Sequence, residues 1–145
     1  MALLEKLVYA VRLPLFGRAA TILTRALGVN IPPSVNIGED LGLPHGAVGL
    51  VVHERSQIGA RVKLYQGVTL GRSDTHLAPE HTNPGGGIQV GDDVIIGANS
   101  TVLFRSGEVL SIGDRAVVGA NSVVLRSIPA GEIWAGNPAR RVSTR

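Results

Sequence analysis

Four histidines carry the most evident capacity for chemistry in this chain: His45, His53, His76 and His81. An imidazole with an ordinary pKa of about 6.5 can take and return a proton at neutral pH, and in its neutral form it ligates zinc. His45 stands in Leu43-Pro44-His45-Gly46. His76 and His81 share a segment with Arg72, Asp74, Glu80 and the run Gly85-Gly86-Gly87. The His-x4-His spacing of the latter pair, with His45 as a distant third, would suit a metal site, whereas His45 alone would suit general-base catalysis. His53 reads as a surface or interface residue. There is no cysteine, which excludes a disulfide scaffold and most structural zinc sites.

The elements that must position these residues follow from composition and rhythm. The chain has 145 residues, 44% of them hydrophobic but only 3% aromatic, with 17% charged residues and 19 glycines. It is too apolar and too weakly charged for a disordered chain. Its glycines lack the three-residue period of collagen. No apolar run reaches the ~18 residues that a membrane-spanning helix needs. The net charge of +3 comes from scattered basic residues without aromatic interleaving, which argues against a nucleic-acid reader. Glu5, Lys6, Arg12 and Pro14 interrupt the opening apolar stretch, so it is not a secretory signal. A cytoplasmic protein is the expectation.

Residues 1–28 have helical spacing in Leu3, Leu4, Leu7, Val8 and Val11, and again in Ile22, Leu23, Ala26 and Leu27. Pro14 interrupts the pattern and Gly28 is placed as a C-cap. The polar positions are mostly basic, so contact with a membrane surface is conceivable. Packing on the main domain or a neighbouring subunit is the expectation.

From Ile31 the texture changes to a six-residue rhythm. Aliphatic residues recur at Ile31, Ile37 and Leu43, at Val52, Ile58, Leu64 and Leu70, at Val90, Ile96 and Val102, and at Ile112, Val118 and Val124. Glycine often follows directly, and a second small or branched residue stands four positions on, as at Val35, Leu41, Val62, Val94 and Ser122. Such hexads mark a parallel β-helix, in which each hexad is a short strand and a turn and the stacked coils bury one another. A glycine or a small polar residue is expected to turn each corner, and the narrow interior accounts for the scarcity of rings. The predicted fold is an all-β solenoid with a short N-terminal helical segment. It divides into 1–29 (helical), 30–130 (β-helix, with an excursion loop at 71–89) and 131–145 (C-terminal loop and tail).

Insertions in a solenoid collect on one face and carry function. The rhythm breaks between Leu43 and Val52, between Leu70 and Val90, and between Val102 and Ile112; all four histidines lie in or beside the first two breaks. His45 comes two places after the inward Leu43, so it should stand at a corner and not in the core.

The segment Leu43-Pro44-His45-Gly46-Ala47-Val48-Gly49, the motif Gln66-Gly67-Val68-Thr69-Leu70-Gly71 and the ending Gly136-Asn137-Pro138-Ala139-Arg140 resemble the serine acetyltransferase branch of the hexapeptide-repeat acyltransferases. The resemblance covers roughly residues 30–142. It implies a left-handed parallel β-helix, a homotrimer with active sites between subunits, acetyl-CoA as co-substrate, no metal, and His45 as the catalytic base. It also implies CoA contacts at the backbone of Gly71, Ala98 and Ala120, with Arg126 and Arg140 facing the nucleotide phosphates, where guanidinium geometry fits.

Three positions depart from the serine-specific pattern. Asn30 stands where the family has an aspartate that orients the histidine. Pro44 replaces an aspartate that helps hold the substrate. Gly87 falls where a second active-site histidine would align. His76 or His81 could substitute from the long loop, which makes Pro44, His76 and His81 the candidate acceptor-side residues. These departures point to O-acetylation of another small acceptor, such as a sugar, a polysaccharide precursor or a specialised metabolite, with serine as the alternative. Two further readings are a zinc enzyme similar to the γ-class carbonic anhydrases and a catalytically inactive trimeric scaffold.

Overall fold

The computed structural model describes residues 2–145. Two helices open the chain, α1 (Leu3–Ala10) and α2 (Gly17–Ala26). Pro14 lies between them, where its fixed φ and missing N–H suit a break. Gly28 adopts φ 81° just past α2 and donates its N–H to the Arg25 carbonyl. Fourteen short strands follow among the described residues: β1 (Val29–Asn30), β2 (Asn36–Ile37), β3 (Leu50–Val52), β4 (Ser56–Ile58), β5 (Lys63–Leu64), β6 (Thr69–Arg72), β7 (Gly87–Val90), β8 (Ile95–Ile96), β9 (Thr101–Phe104), β10 (Val109–Ile112), β11 (Val117–Val118), β12 (Val123–Val124), β13 (Glu132–Gly136) and β14 (Ala139–Thr144).

The strands form three sheets, in the orders β1-β3-β6-β9-β12, β2-β4-β7-β10 and β5-β8-β11-β13-β14. All pairings are parallel except that of β13 with β14. Successive strands rotate through the sheets, so β3, β4 and β5 make one circuit and β6, β7 and β8 the next. The crossover that a parallel pair requires is here the rest of the circuit. Register sorts the aliphatic rhythm into three rows. Val52, Leu70, Val102 and Val124 are one row, and Ile37, Ile58, Val90 and Ile112 another. Leu64, Ile96 and Val118 form the third, with Trp134 at its end. The residues four places on, from Val35 through Ser122, are buried as well.

Of the two expected corner residues, the small polar one turns the chain at several corners, and the glycine that directly follows an aliphatic does not. Gly38, Gly59, Gly91, Gly97 and Gly113 keep ordinary φ, and space is what fixes them. A Cβ on Gly59 would lie 2.5 Å from Asp92 Oδ1 and 2.7 Å from the Gly91 carbonyl carbon. At six corners the turn falls three places after the aliphatic of the second or third row, where Asp40, Arg61, Asp93, Asn99, Arg115 and Asn121 all have φ between 55° and 61°. Asp and Asn tolerate this left-handed region comparatively well.

Residues 131–145, expected as loop and tail, are instead the antiparallel pair β13–β14. β13 continues the third sheet by pairing with β11, so the chain end covers the last circuit. The excursion is also shorter than the expected 71–89. Gly71 and Arg72 stay in register with Leu103 and Phe104, and β7 resumes at Gly87.

Candidate functional site

His45 sits in a short 3-10 turn, Pro44–Ala47, at the first break in the rhythm. Its backbone is left-handed (φ 55°, ψ 25°), Gly46 follows at φ 72°, and Ala47 is at φ 45°. Two non-glycine residues in this region within three positions store strain, a feature that clusters at functional sites. The turn is tied down around them. The Gly46 N–H donates to the Leu43 carbonyl, Gly49 N–H to Gly28 and Gly67 N–H to Val48, while Ala47 is fully buried. His45 itself is exposed, with its ring centroid 6.2 Å from that of Tyr65 in a tilted arrangement. A base presented to solvent on an anchored turn can meet a substrate hydroxyl.

Helix α1 packs on the main domain, one of the two expected placements, and reaches this turn through polar contacts that carry no period in the sequence. Glu5 Oε1 accepts the Leu43 N–H at 3.2 Å. One helical turn on, the Tyr9 hydroxyl donates to the Gly38 carbonyl and accepts the Leu41 N–H, and Arg12 donates to Asn36 Oδ1. The i, i+4 spacing of Glu5 and Tyr9 puts both on one face of α1. Glu5 is only 8% exposed, and its second oxygen has no partner among the described residues.

Asn30, half-buried on β1, accepts a hydrogen bond from Arg25 Nε at 3.3 Å. No hydrogen bond joins it to His45 among the described residues. Pro44 opens the His45 turn. His76 and His81 are both exposed in the excursion, His81 closing a 3-10 turn, Pro79–His81. No three His, Cys, Asp or Glu side chains converge among the described residues, so His45, His76 and His81 do not form a common ligand set within the chain.

Arg126 and Arg140 do come together. They line one cleft with Leu125, Pro138 and Ala139. The Arg126 guanidinium lies 5.2 Å from the centroid of the Trp134 ring, and Arg140 is steadied by a hydrogen bond to the Ala139 carbonyl. Ala98 and Ala120 stack on successive circuits, the Ala98 carbonyl accepting the Asn121 N–H. Gly71 lies on the first sheet beside Leu103; Leu125 of the cleft comes one residue beyond the Val102–Val124 pair of the same sheet.

Asp74 and His53 make contacts that no pattern in the sequence indicates. Asp74, 5% exposed, accepts both the backbone N–H and the hydroxyl of Ser106 and lies 3.3 Å from Arg72 Nε. It thereby ties the second break to the third. Burial pushes its carboxyl up, but the Ser106 hydrogen bonds and the Arg72 charge outweigh this and hold it below the usual carboxylate value. His53 is half-buried, edge-on to Phe104 at 5.0 Å, with its Nδ1 accepting the Arg55 N–H. Burial pushes its pKa below 6.5.

A model of the hexapeptide repeat of succinyl-transferase matches residues 83–104 and 109–132. The chain is 38% identical over 136 residues to a serine acetyltransferase of Synechocystis, an alignment that covers 93% of this chain and 50% of that protein. The structure of Neisseria gonorrhoeae serine acetyltransferase in complex with serine matches with a TM-score of 0.72 at 30% identity, over 96% of this chain and 55% of that one. A serine acetyltransferase in complex with CoA matches with a TM-score of 0.68 at 34% identity, over 87% and 48%. Across curated relatives of this kind, the chain spans between 30% and 58% of their length. These relatives overturn the expected acceptor. Asn30, Pro44 and Gly87 point to a sugar, polysaccharide precursor or specialised metabolite, yet the relatives that match over most of the chain are serine acetyltransferases. The chain thus carries the hexapeptide repeat in its second half, and over most of its length it is similar to serine acetyltransferases.

Proposed function

We propose that the protein is an acetyl-CoA-dependent serine O-acetyltransferase with His45 as its general base. The observation that carries the mechanism is the exposed His45 imidazole on an anchored, left-handed turn. The imidazole takes the proton from the serine hydroxyl as that oxygen attacks the acetyl carbonyl carbon. The C–S bond then breaks, and the proton passes from His45 to the departing sulfur, giving O-acetylserine and free CoA. Backbone N–H groups of the glycine-rich turns would stabilise the oxyanion formed on the way.

The cleft between Arg126 and Arg140 suits the phosphates of CoA, since paired guanidiniums match phosphate geometry. The backbone at Gly71, Ala98 and Ala120 would line the path of the pantetheine arm. Asn30 is assigned to orient the His45 turn, and Pro44, His76 and His81 to border the acceptor. The solved structures that the chain matches support a left-handed β-helical solenoid. The unit is a cytoplasmic homotrimer with the sites between subunits, built from a helical segment 1–29, a β-helix 30–130 and a terminal segment 131–145.

The test is thiol release from acetyl-CoA with L-serine as acceptor. The wild-type chain should turn over, and His45→Ala should lower kcat by about 10²–10⁴ while still binding CoA. Unchanged turnover in His45→Ala, or no thiol release with serine, would overturn the proposal.

A further inference from the structure

Residues 2–27 carry a surface that acetyl transfer does not use. Of the twelve large hydrophobic side chains exposed among the described residues, seven fall here: Leu3, Leu13, Leu15, Phe16, Ile22, Leu23 and Leu27. Leu15 is 88% exposed and Phe16 63%, at the tip of the α1–α2 connection. A groove of about 530 Å³ runs beside that tip, walled by Leu13, Pro14, Ile22 and Pro33 and flanked by Arg12 and Arg18. The charged side chains that residues 2–38 expose have one sign, the nearest exposed acids in the chain being Glu39 and Asp40 beside Tyr9. Lys6, Arg12, Arg18 and Arg25 are all exposed, while Glu5, the one acid before residue 39, is turned inward onto the Leu43 N–H. The polar seam of Glu5 and Tyr9 fixes which side of α1 faces the sheets, and so leaves the apolar tip outward.

We propose that this helical pair docks the protein on an anionic phospholipid surface, with Leu15 and Phe16 entering the acyl boundary and the flanking Arg18 and Arg12 meeting lipid phosphates. Apolar residues at a protruding tip with cations beside them and no exposed acid are the composition of an interfacial anchor. An aqueous protein partner would need carboxylates to match the four cations, whereas a bilayer supplies both the anionic layer and the apolar layer beneath it. Neither helix is long and apolar enough to cross a membrane, so the element lies on the surface. Such docking would hold the His45 turn close to the bilayer, because α1 bonds directly to Leu43.

The experiment is flotation of the full chain with vesicles of phosphatidylcholine alone or containing about 30% phosphatidylserine, at physiological salt. Binding is expected to the anionic vesicles and at least tenfold more weakly to the neutral ones. Arg18→Gln should weaken it about fivefold, the effect of one cation near such a surface. Leu15→Asp with Phe16→Asp should abolish it. These side chains are exposed, so circular dichroism should show an unchanged fold in both variants, and thiol release with serine should stay at the wild-type rate, separating this proposal from the catalytic one. Absence of binding to anionic vesicles, equal binding to both compositions, or unchanged binding of the double variant would overturn it. So would a double variant whose only change is a smaller assembly by sedimentation, which would assign the face to contact between copies of the chain.

Discussion

At the scale of single residues, backbone geometry distinguishes the two half-legible histidines. His45 is exposed because its turn is left-handed and pinned by the buried Ala47 behind it. His53, eight residues on, is folded against Phe104. Burial holds the His53 pKa below 6.5, aided by the Arg55 and Arg72 charges and opposed by Glu54. The folded state therefore binds fewer protons at this site than the unfolded chain. Its contribution to stability is complete above about pH 6.5, declines as the pH falls below that value, and levels off once the folded pKa is passed. The His53 ring resonances in an NMR titration should show a midpoint below 6.5, and a midpoint at or above 6.5 would contradict this packing. In the sequence His53 looked like a surface residue. Its partner Phe104 lies 51 positions away in the chain, so only register could bring the two together.

At the scale of elements, α1 is attached by hydrogen bonds as well as by apolar packing. Val8 and Val11 are buried, but the Tyr9 hydroxyl makes two hydrogen bonds, to Gly38 and Leu41, on the circuit that leads into the His45 turn. Tyr9→Phe keeps the ring and removes both bonds, and should cost about 1–3 kcal/mol in urea unfolding. A loss well below that would mean the helix is held by packing alone. In the circuits themselves, Gly38, Gly59, Gly91 and Gly113 are set by the close approach of the next circuit's backbone. Gly59→Ala would drive a Cβ into the Gly91 backbone and the Asp92 carboxylate, and should destabilise by about 1–3 kcal/mol through overpacking. Measured stability equal to wild type would refute the close approach. The six-residue rhythm was legible because every circuit repeats the same burial. The α1 contacts were not, because a single Glu and a single Tyr on a helix carry no period.

At the scale of the whole molecule, the cleft at the chain end depends on folding in a way that no motif announces. Arg126 follows β12, Arg140 is the second residue of β14, and β13 brings them together by pairing with β11 and β14. CoA should raise the melting temperature of the wild-type chain, as any ligand of the folded state does. Arg140→Ala should shrink that shift at equal CoA while leaving the unliganded melting temperature nearly unchanged, since the arginine is exposed. An undiminished shift would move the phosphates elsewhere.

The sequence by itself determined the repeat, the inward rows of Ile, Val and Leu, the breaks in the rhythm, and His45 as the candidate base. All of these rest on periodic or local patterns, which survive without knowledge of the third dimension. The glycine roles, the terminal hairpin, the Asp74–Ser106 tie between two breaks and the clamp of α1 on the His45 turn were decided only by tertiary structure. They depend on which residue of one circuit lies above which residue of the next, and that spacing is fixed by the stacking of strands, not by neighbours along the chain.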